Sequence, residues 1–114
     1  MIINEHSIRN QKFAEIITED IVLNSVEDAL DLIGNCSYQG YDHLIIYEKN
    51  ITKDFFNLKT KLAGEILQKF VQYQMPVSII GDFSNYNSDS LNDFILESNK
   101  GRHVHFRHQL EDLF

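Results

Sequence analysis

The 114-residue sequence has one cysteine, one proline, five glycines and no tryptophan. Because a lone cysteine, Cys36, cannot form an internal disulfide, the disulfide-stapled folds of small secreted domains are excluded. Scarce proline and glycine, together with 43% hydrophobic residues, exclude collagen-like, fibrous and disordered chains. The length suits a single domain over residues 1–114, since one hydrophobic core commonly serves roughly 100 to 150 residues.

Basic residues are also few, because ten lysines and arginines face seventeen aspartates and glutamates and give a formal charge of −7. A chain this acidic repels nucleic-acid backbones and anionic lipid surfaces unless its basic residues cluster. The densest basic segment, 100–108, is flanked by Glu97, Glu111 and Asp112, so we expect no nucleic-acid partner. Neither a membrane-spanning apolar run nor a signal-peptide pattern occurs, so we expect a cytoplasmic protein without a membrane partner.

Short apolar runs rich in β-branched residues predict strands, and apolar residues at helical spacing predict helices between them. The first helix is capped by Asn24 or Ser25 and stops at Gly34, because side-chain oxygens favour helix starts and glycine favours helix ends. The predicted strands are 2–8, 13–17, 44–47, 77–80 and 103–106. The other predicted helices are a long one over 58–71, one that begins after Ser88 and a short one over 110–114.

The order of these elements is β-β-α-β-α-β-α-β-α, which predicts parallel strands joined by right-handed helical crossovers. The first two strands, joined by a tight turn at Asn10 and Gln11, form an antiparallel hairpin instead. The nearly continuous apolar runs LIIY and VSII favour strands that helices cover on at least part of both faces. The sequence therefore predicts an α/β fold with a small mixed sheet, an N-terminal antiparallel hairpin and helices on its faces.

Polar residues follow the third and fourth predicted strands, where the carboxyl ends of parallel strands commonly bind ligands. Glu48 and Asp82 can form an acid/base pair, or bind a hard cation together with the carbonyl of Asn50. The alternative is that such residues only form turns and cap helices, as Asp, Asn and Ser do after many strands. The candidate ligand-binding residues are Glu48, Asn50, Asp82 and Ser84.

A second candidate region lies around the start of the longest predicted helix. Phe55 and Phe56 precede this helix and Tyr86 lies in a later loop, so they can supply an exposed aromatic anchor of the type enriched at protein interfaces. The alternative for the two phenylalanines is core packing. The candidate interaction residues are Asp54, Phe55, Thr60 and Tyr86.

Motifs that mark particular chemistries are missing. No Gly-x-Ser-x-Gly elbow of a serine hydrolase occurs, and the dispersed glycines form no phosphate-binding loop. His103 and His105 lie two apart on a predicted strand, but two nitrogens are too few for a stable zinc site. We therefore assign no catalytic residue, no metal and no cofactor, and favour binding over catalysis.

Five segments resemble a bacterial family of unknown activity, the domain of unknown function 4180. They are NSVEDALDL at 24–32, EKNITKDFFNLKT at 48–60, LAGEILQKF at 62–70, GDFS at 81–84 and ESNKG at 97–101. The order of elements also resembles that of the STAS domains of bacterial anti-sigma factor antagonists and transporter tails. In those domains an Asp-Ser pair opens the second long helix and its serine is a phosphorylated switch. Here the corresponding residues are NLKT at 57–60, which lack the serine but keep a hydroxyl at Thr60.

Two hypotheses about function follow. The first is a small cytoplasmic, STAS-like regulatory or protein-interaction domain that binds an unidentified protein or a second copy of itself. The alternative is a small-ligand-binding protein or enzyme whose site lies at the carboxyl ends of the strands.

Overall fold

Five strands form one mixed sheet in which spatial order follows chain order. The computed structural model describes residues 1–114, and its first two strands form an antiparallel hairpin, while the later strands pair in parallel. Arg9 and Asn10 turn the hairpin with positive φ angles of 52° and 66°, as a tight two-residue hairpin turn requires. The predicted α/β class, mixed sheet and hairpin are confirmed, although the turn lies one residue earlier than predicted, because Gln11 already pairs with Ile8. The strands are β1 (Ile2–Ile8), β2 (Gln11–Ile17), β3 (His43–Tyr47), β4 (Val77–Ile80) and β5 (Val104–Arg107).

Helices connect the parallel strands, and two of them begin at serine caps. Ser25 Oγ accepts the backbone N–H of Asp28 at 3.2 Å, and Ser88 Oγ accepts that of Leu91 at 3.1 Å. Each cap satisfies a backbone donor that has no partner inside the helix. None of the helices combines the length and apolarity that crossing a membrane requires. The helices are α1 (Val26–Tyr38), α2 (Lys53–Phe56), α3 (Leu62–Gln72) and α4 (Asp89–Lys100).

The single long helix predicted over 58–71 is wrong in its first part. Residues 58–60 form a separate 3-10 turn, and α3 begins only after Lys61, whose φ of 65° is left-handed. The Asn57 side chain accepts the Lys59 N–H at 3.2 Å and so competes with a continuous helix. The predicted C-terminal helix is likewise a 3-10 turn, Leu110–Leu113. The predicted end of the first helix at Gly34 is also wrong, because α1 continues through this residue to Tyr38.

The helices α1, α3 and α4 all pack on one face of the sheet. Their buried residues join Ala14, Leu44 and Val77 in the main core, whereas the neighbouring strand residues point to the opposite face. There Phe13 and Ile45 form a small second core with residues of the 3-10 turn Leu110–Leu113. We call this opposite side the second face. The coverage by helices that we expected on both faces is thus limited, on the second face, to this short turn.

Glu15 is a buried carboxylate on the second face, with an exposed fraction of 5%. Tyr47 OH donates to its Oε2 at 2.5 Å, Asn4 Nδ2 donates to its Oε1 at 3.1 Å, and His6 Nε2 lies 2.8 Å from Oε1. Burial raises the pKa of Glu15, but these three hydrogen bonds together bring it below the ordinary value. Burial, the hydrogen bond to Glu15 and the charges of Glu15 and Glu111 raise the pKa of Tyr47 to about 12.

A second polar pair, His43 and Ser78, lies on the same face. His43 Nε2 is 2.7 Å from Ser78 Oγ, and the imidazole packs on the ring of Phe13 with centroids 4.6 Å apart. Burial, with a smaller contribution from the charge of His105, lowers the pKa of His43 to about 4. The imidazole is therefore neutral in the folded protein near neutral pH.

The burial of neutral His43 predicts that the protein loses stability in mild acid. Because its pKa falls from 6.5 to about 4 on folding, the unfolded chain binds more protons between these values. The free energy of unfolding should be unaffected by this group above pH 6.5 and should fall by roughly 3 kcal/mol as the pH decreases toward 4. Urea denaturation across this range measures the loss.

Two variants isolate the contribution of His43. His43→Gln removes the titration but keeps an amide that can bond to Ser78, so the loss above about pH 4.5 should largely disappear. His108→Gln, at an exposed histidine, should retain it. Titration of Glu15 does not contribute in this range. Because its pKa is lowered on folding, its contribution to the free energy of unfolding is lost only below the ordinary value of 4.5. Equal losses in the two variants would contradict the assignment.

Candidate functional site

Four of the predicted residues meet at the carboxyl ends of β3 and β4. Glu48 begins a 3-10 turn after β3, and Asp82 directly precedes the turn Phe83–Tyr86 after β4. Glu48 Oε1 accepts the backbone N–H of Asp82 at 3.2 Å, and Oε2 accepts the hydroxyl of Tyr86 at 2.5 Å. The structure thus brings Glu48, Asp82, Ser84 and Tyr86 into one hydrogen-bonded group, which we call the carboxyl-end cluster.

The hydrogen bonds of Asp82 identify it as a cap. Its Oδ1 accepts both the backbone N–H of Ser84 at 3.1 Å and the Ser84 hydroxyl at 2.6 Å. These two bonds lower the pKa of Asp82, whereas burial and the bond to Glu48 raise the pKa of Tyr86. General acid catalysis by a carboxyl group uses a raised pKa, so the lowered pKa of Asp82 favours the capping interpretation.

Gly81 makes the position of Glu48 sterically feasible. A Cβ atom added at Gly81 would lie 2.6 Å from Glu48 Cβ and would also overlap the Glu48 carboxylate. The backbone N–H of Gly81 donates to the carbonyl of Arg107 at 3.0 Å, which holds this strand end against β5. The glycine is therefore required by close packing of the Glu48 side chain across it.

Asn50 makes no side-chain hydrogen bond to the carboxyl-end cluster and bonds instead to the loop before α1. It is fully buried, and its Nδ2 donates to the carbonyls of Thr18 and Asp20, both at 2.9 Å. Its own carbonyl accepts the N–H of Val22 at 2.8 Å. Asn50 thus fastens the loop before α1 to the end of β3, while its buried Oδ1 has no partner.

Phe55 and Thr60 both have structural contacts in the segment before α3. Phe55 is 1% exposed and packs against Phe56, so its ring belongs to the core and not to an exposed anchor. Thr60 Oγ1 lies 2.7 Å from the carbonyl of Asp54 and 2.8 Å from that of Asn57. It also accepts the Leu62 N–H at 3.3 Å, and so holds the turn that precedes α3.

An open groove of about 500 Å³ lies beside the carboxyl-end cluster. The ring of Tyr86 stacks on that of Phe56 with centroids 4.9 Å apart and an angle of 19°. Lys53 and Lys59 are exposed at its edge, and neither has a carboxylate within 4.0 Å. We call this open groove the carboxyl-end groove. Its lining residues are Lys53, Asp54, Phe56, Asn57, Leu58, Lys59, Tyr86, Ser88 and Ser90.

The sequence analysis did not predict the polar side chains of the second face as functional candidates. The available signal is periodicity, because Glu15 in β2 and Ser78 in β4 interrupt apolar strands at positions that share one face. His103 and His105, considered as a pair, line different cavities. No three His, Cys, Asp or Glu side chains lie close enough to hold a metal ion. Cys36 is buried, and burial raises its pKa, so it remains a thiol.

Comparison with known proteins identifies a family that this chain matches over most of its length. The family model described as "Domain of unknown function (DUF4180)" matches residues 8–114. No curated protein and no solved structure matches this sequence.

Replacing Gly81 with alanine should destabilise the protein. The added methyl group would displace Glu48 from its bonds to Asp82 and Tyr86, and such overpacking typically costs about 1 to 3 kcal/mol. Gly64→Ala is the matched control, because a Cβ there meets nothing within 4 Å and alanine is the better helix former. Urea denaturation of both variants tests this, and a Gly81→Ala variant as stable as Gly64→Ala would contradict it.

Replacing Asn50 with alanine should also destabilise the protein. The variant loses both amide hydrogen bonds to Thr18 and Asp20, and we expect a loss of about 2 kcal/mol in the free energy of unfolding. Asn85→Ala provides the control, because Asn85 is exposed and should change stability by less than about 0.5 kcal/mol. Equal denaturation midpoints for the two variants would show that Asn50 has no structural role.

Proposed function

We propose that this chain, which belongs to the DUF4180 family, is a small STAS-like regulatory or protein-interaction domain. Its carboxyl-end groove binds an acidic segment of a partner protein. The observation that carries the proposal is the combination of a stacked aromatic pair, Phe56 and Tyr86, with the two unpaired lysines Lys53 and Lys59. In a chain with a formal charge of −7, this groove combines apolar contact with two lysines against one acidic lining residue, Asp54.

The position of the groove supports a STAS-like role. Residues 57–59 line it, and they belong to the segment that corresponds by element order to the start of the second long helix in STAS domains. The Thr60 hydroxyl, by contrast, is bonded within its own turn. Recognition by groove residues is therefore better supported than phosphorylation of Thr60.

The fixed position of the Tyr86 ring supports recognition by the groove. Glu48 accepts the hydroxyl of Tyr86 at 2.5 Å, and the Tyr86 ring is stacked on Phe56. A ring held from two sides loses little conformational entropy when a partner binds. The proposed setting is the bacterial cytoplasm, which the unpaired and buried Cys36 supports because reducing compartments keep thiols free.

The alternative function, a small-ligand site or enzyme built on Glu48, Asn50, Asp82 and Ser84, has less support. Both carboxylate oxygens of Glu48 and one of Asp82 already accept hydrogen bonds from the protein. The Asn50 amide donates to two backbone carbonyls. Few groups of this set are left for a substrate.

Charge reversal in the groove tests the proposal. The Lys53→Glu, Lys59→Glu double variant should lose a partner that the wild-type chain retains from a lysate of its source cells. With the purified partner, calorimetry should give affinity at least about tenfold weaker, because two attractive contacts become repulsive. The Lys12→Glu, Lys69→Glu double variant changes the net charge equally outside the groove and should bind like wild type.

The outcome also decides between a foreign partner and self-association. If the retained protein is a second copy of this chain, the groove variant should be monomeric at concentrations where wild type and control associate. Urea denaturation confirms that both double variants are folded. A partner that binds the groove variant and the control equally would overturn the assignment of the groove.

A further inference from the structure

A separate cavity of about 390 Å³ lies on the second face of the sheet. Phe13 of β2 and His43 of β3 line it, together with Leu113 and Phe114 from the C-terminal turn. The rings of Phe13 and Phe114 meet edge to face with centroids 5.4 Å apart. The cavity shares no lining residue with the carboxyl-end groove. We call it the arginine cavity.

All three arginines of the sequence, Arg9, Arg102 and Arg107, line this cavity, whereas none of the seven lysines does. None of the three has a carboxylate within 4.0 Å, since the ion pairs of the structure involve other residues. The only side-chain hydrogen bond that any of them makes is from Arg107 Nη1 to the carbonyl of Phe106 at 3.0 Å. Most of their N–H donors are therefore free to bind a ligand.

The other charged and titratable groups leave the cavity positive. Asp112 is its one acidic lining residue, and its carboxylate accepts the Gln109 amide at 3.4 Å. His105 Nε2 lies 2.8 Å from the carbonyl of Gly101, and His43 pairs with Ser78. Three arginines against one aspartate make this a positive site in a chain whose overall charge is −7.

The lining predicts the chemical class of the ligand. The planar guanidinium group matches the oxygens of carboxylates and phosphates, often through two parallel hydrogen bonds. The apolar residues Ile8, Phe13 and Leu113 offer contact to a hydrophobic body, and the volume falls within the range of small-molecule sites. We infer that the arginine cavity binds a small organic anion in which a carboxylate or phosphate group is attached to an apolar or aromatic body.

Calorimetric titration with phenyl phosphate, benzoate and inorganic phosphate tests this inference. At least one of the two aromatic anions should bind saturably with a Kd of about 1 mM or lower. Whichever binds more tightly identifies the head group as phosphate or carboxylate. Amide chemical shifts of Phe13 and Leu113 should change on titration, while that of Lys59 in the carboxyl-end groove should not.

Variants connect the binding to the arginines. Arg102→Gln, at an exposed position, should weaken binding about tenfold, and the Arg102→Gln, Arg107→Gln double variant about a hundredfold. Lys100→Gln removes the same charge close by, outside the cavity, and should bind like wild type. Unfolding curves confirm that the variants are folded, and the exposed Arg102 provides a test even if replacement of the half-buried Arg107 prevents folding.

Three results would overturn the inference. The first is the absence of saturable binding for both aromatic anions. The second is equal affinity in wild type and Arg102→Gln, since the guanidinium would then contribute nothing. The third is inorganic phosphate binding as tightly as phenyl phosphate, which would remove the role given to the apolar lining.

Discussion

Right-handed crossovers between parallel strands that follow one another in space constrain the whole structure. Because β2 to β5 lie side by side in chain order, each crossover places its helix on the same side of the sheet. The helices α1, α3 and α4 therefore share one face and build one large core. No long helix covers the second face. Its side chains therefore pack and form hydrogen bonds with one another, with strand β1 of the hairpin and with a short 3-10 turn.

Polar side chains on the second face form hydrogen bonds with one another, in pairs and small networks. Glu15 is bonded to Asn4, His6 and Tyr47, two of which come from β1. A buried carboxylate without partners would be strongly destabilising, so the hairpin serves to satisfy Glu15 as well as to extend the sheet. Neutral His43 and Ser78 form a similar pair. The three arginines of the arginine cavity have no carboxylate partner within the protein, which sets them apart from the other polar groups of this face.

The starts of α1 and α4 were predictable from nearby residues, whereas the end predicted for the first helix at Gly34 was not correct, since α1 continues to Tyr38. The caps at Ser25 and Ser88 are confirmed because a cap is decided within four residues. The contact of Glu48 with the backbone of Asp82 follows from their places after neighbouring parallel strands. The interruption of the helix at Lys61 could not be read in this way, because apolar spacing continues through it while its left-handed φ depends on the preceding turn.

Features that depend on distant contacts escaped prediction. Asn50 bonds to backbone carbonyls 32 and 30 positions away, so nothing in its local sequence distinguishes it from a polar loop residue. Burial of Phe55 likewise depends on the packing of α2 against α3. Arg102 and Arg107 lie close together in sequence, just before β5 and at its end, but Arg9 lies in the distant hairpin turn after β1, so only the folded sheet places all three on one cavity.

The carboxyl-end groove and the arginine cavity are chemically independent although they belong to one sheet. They share no lining residue, and a direct link between their surroundings is the backbone bond from Gly81 N–H to the Arg107 carbonyl. That bond continues the parallel pairing of β4 with β5. The fold therefore presents two surfaces with separate linings, one that we propose for a protein segment and one that we propose for a small organic anion.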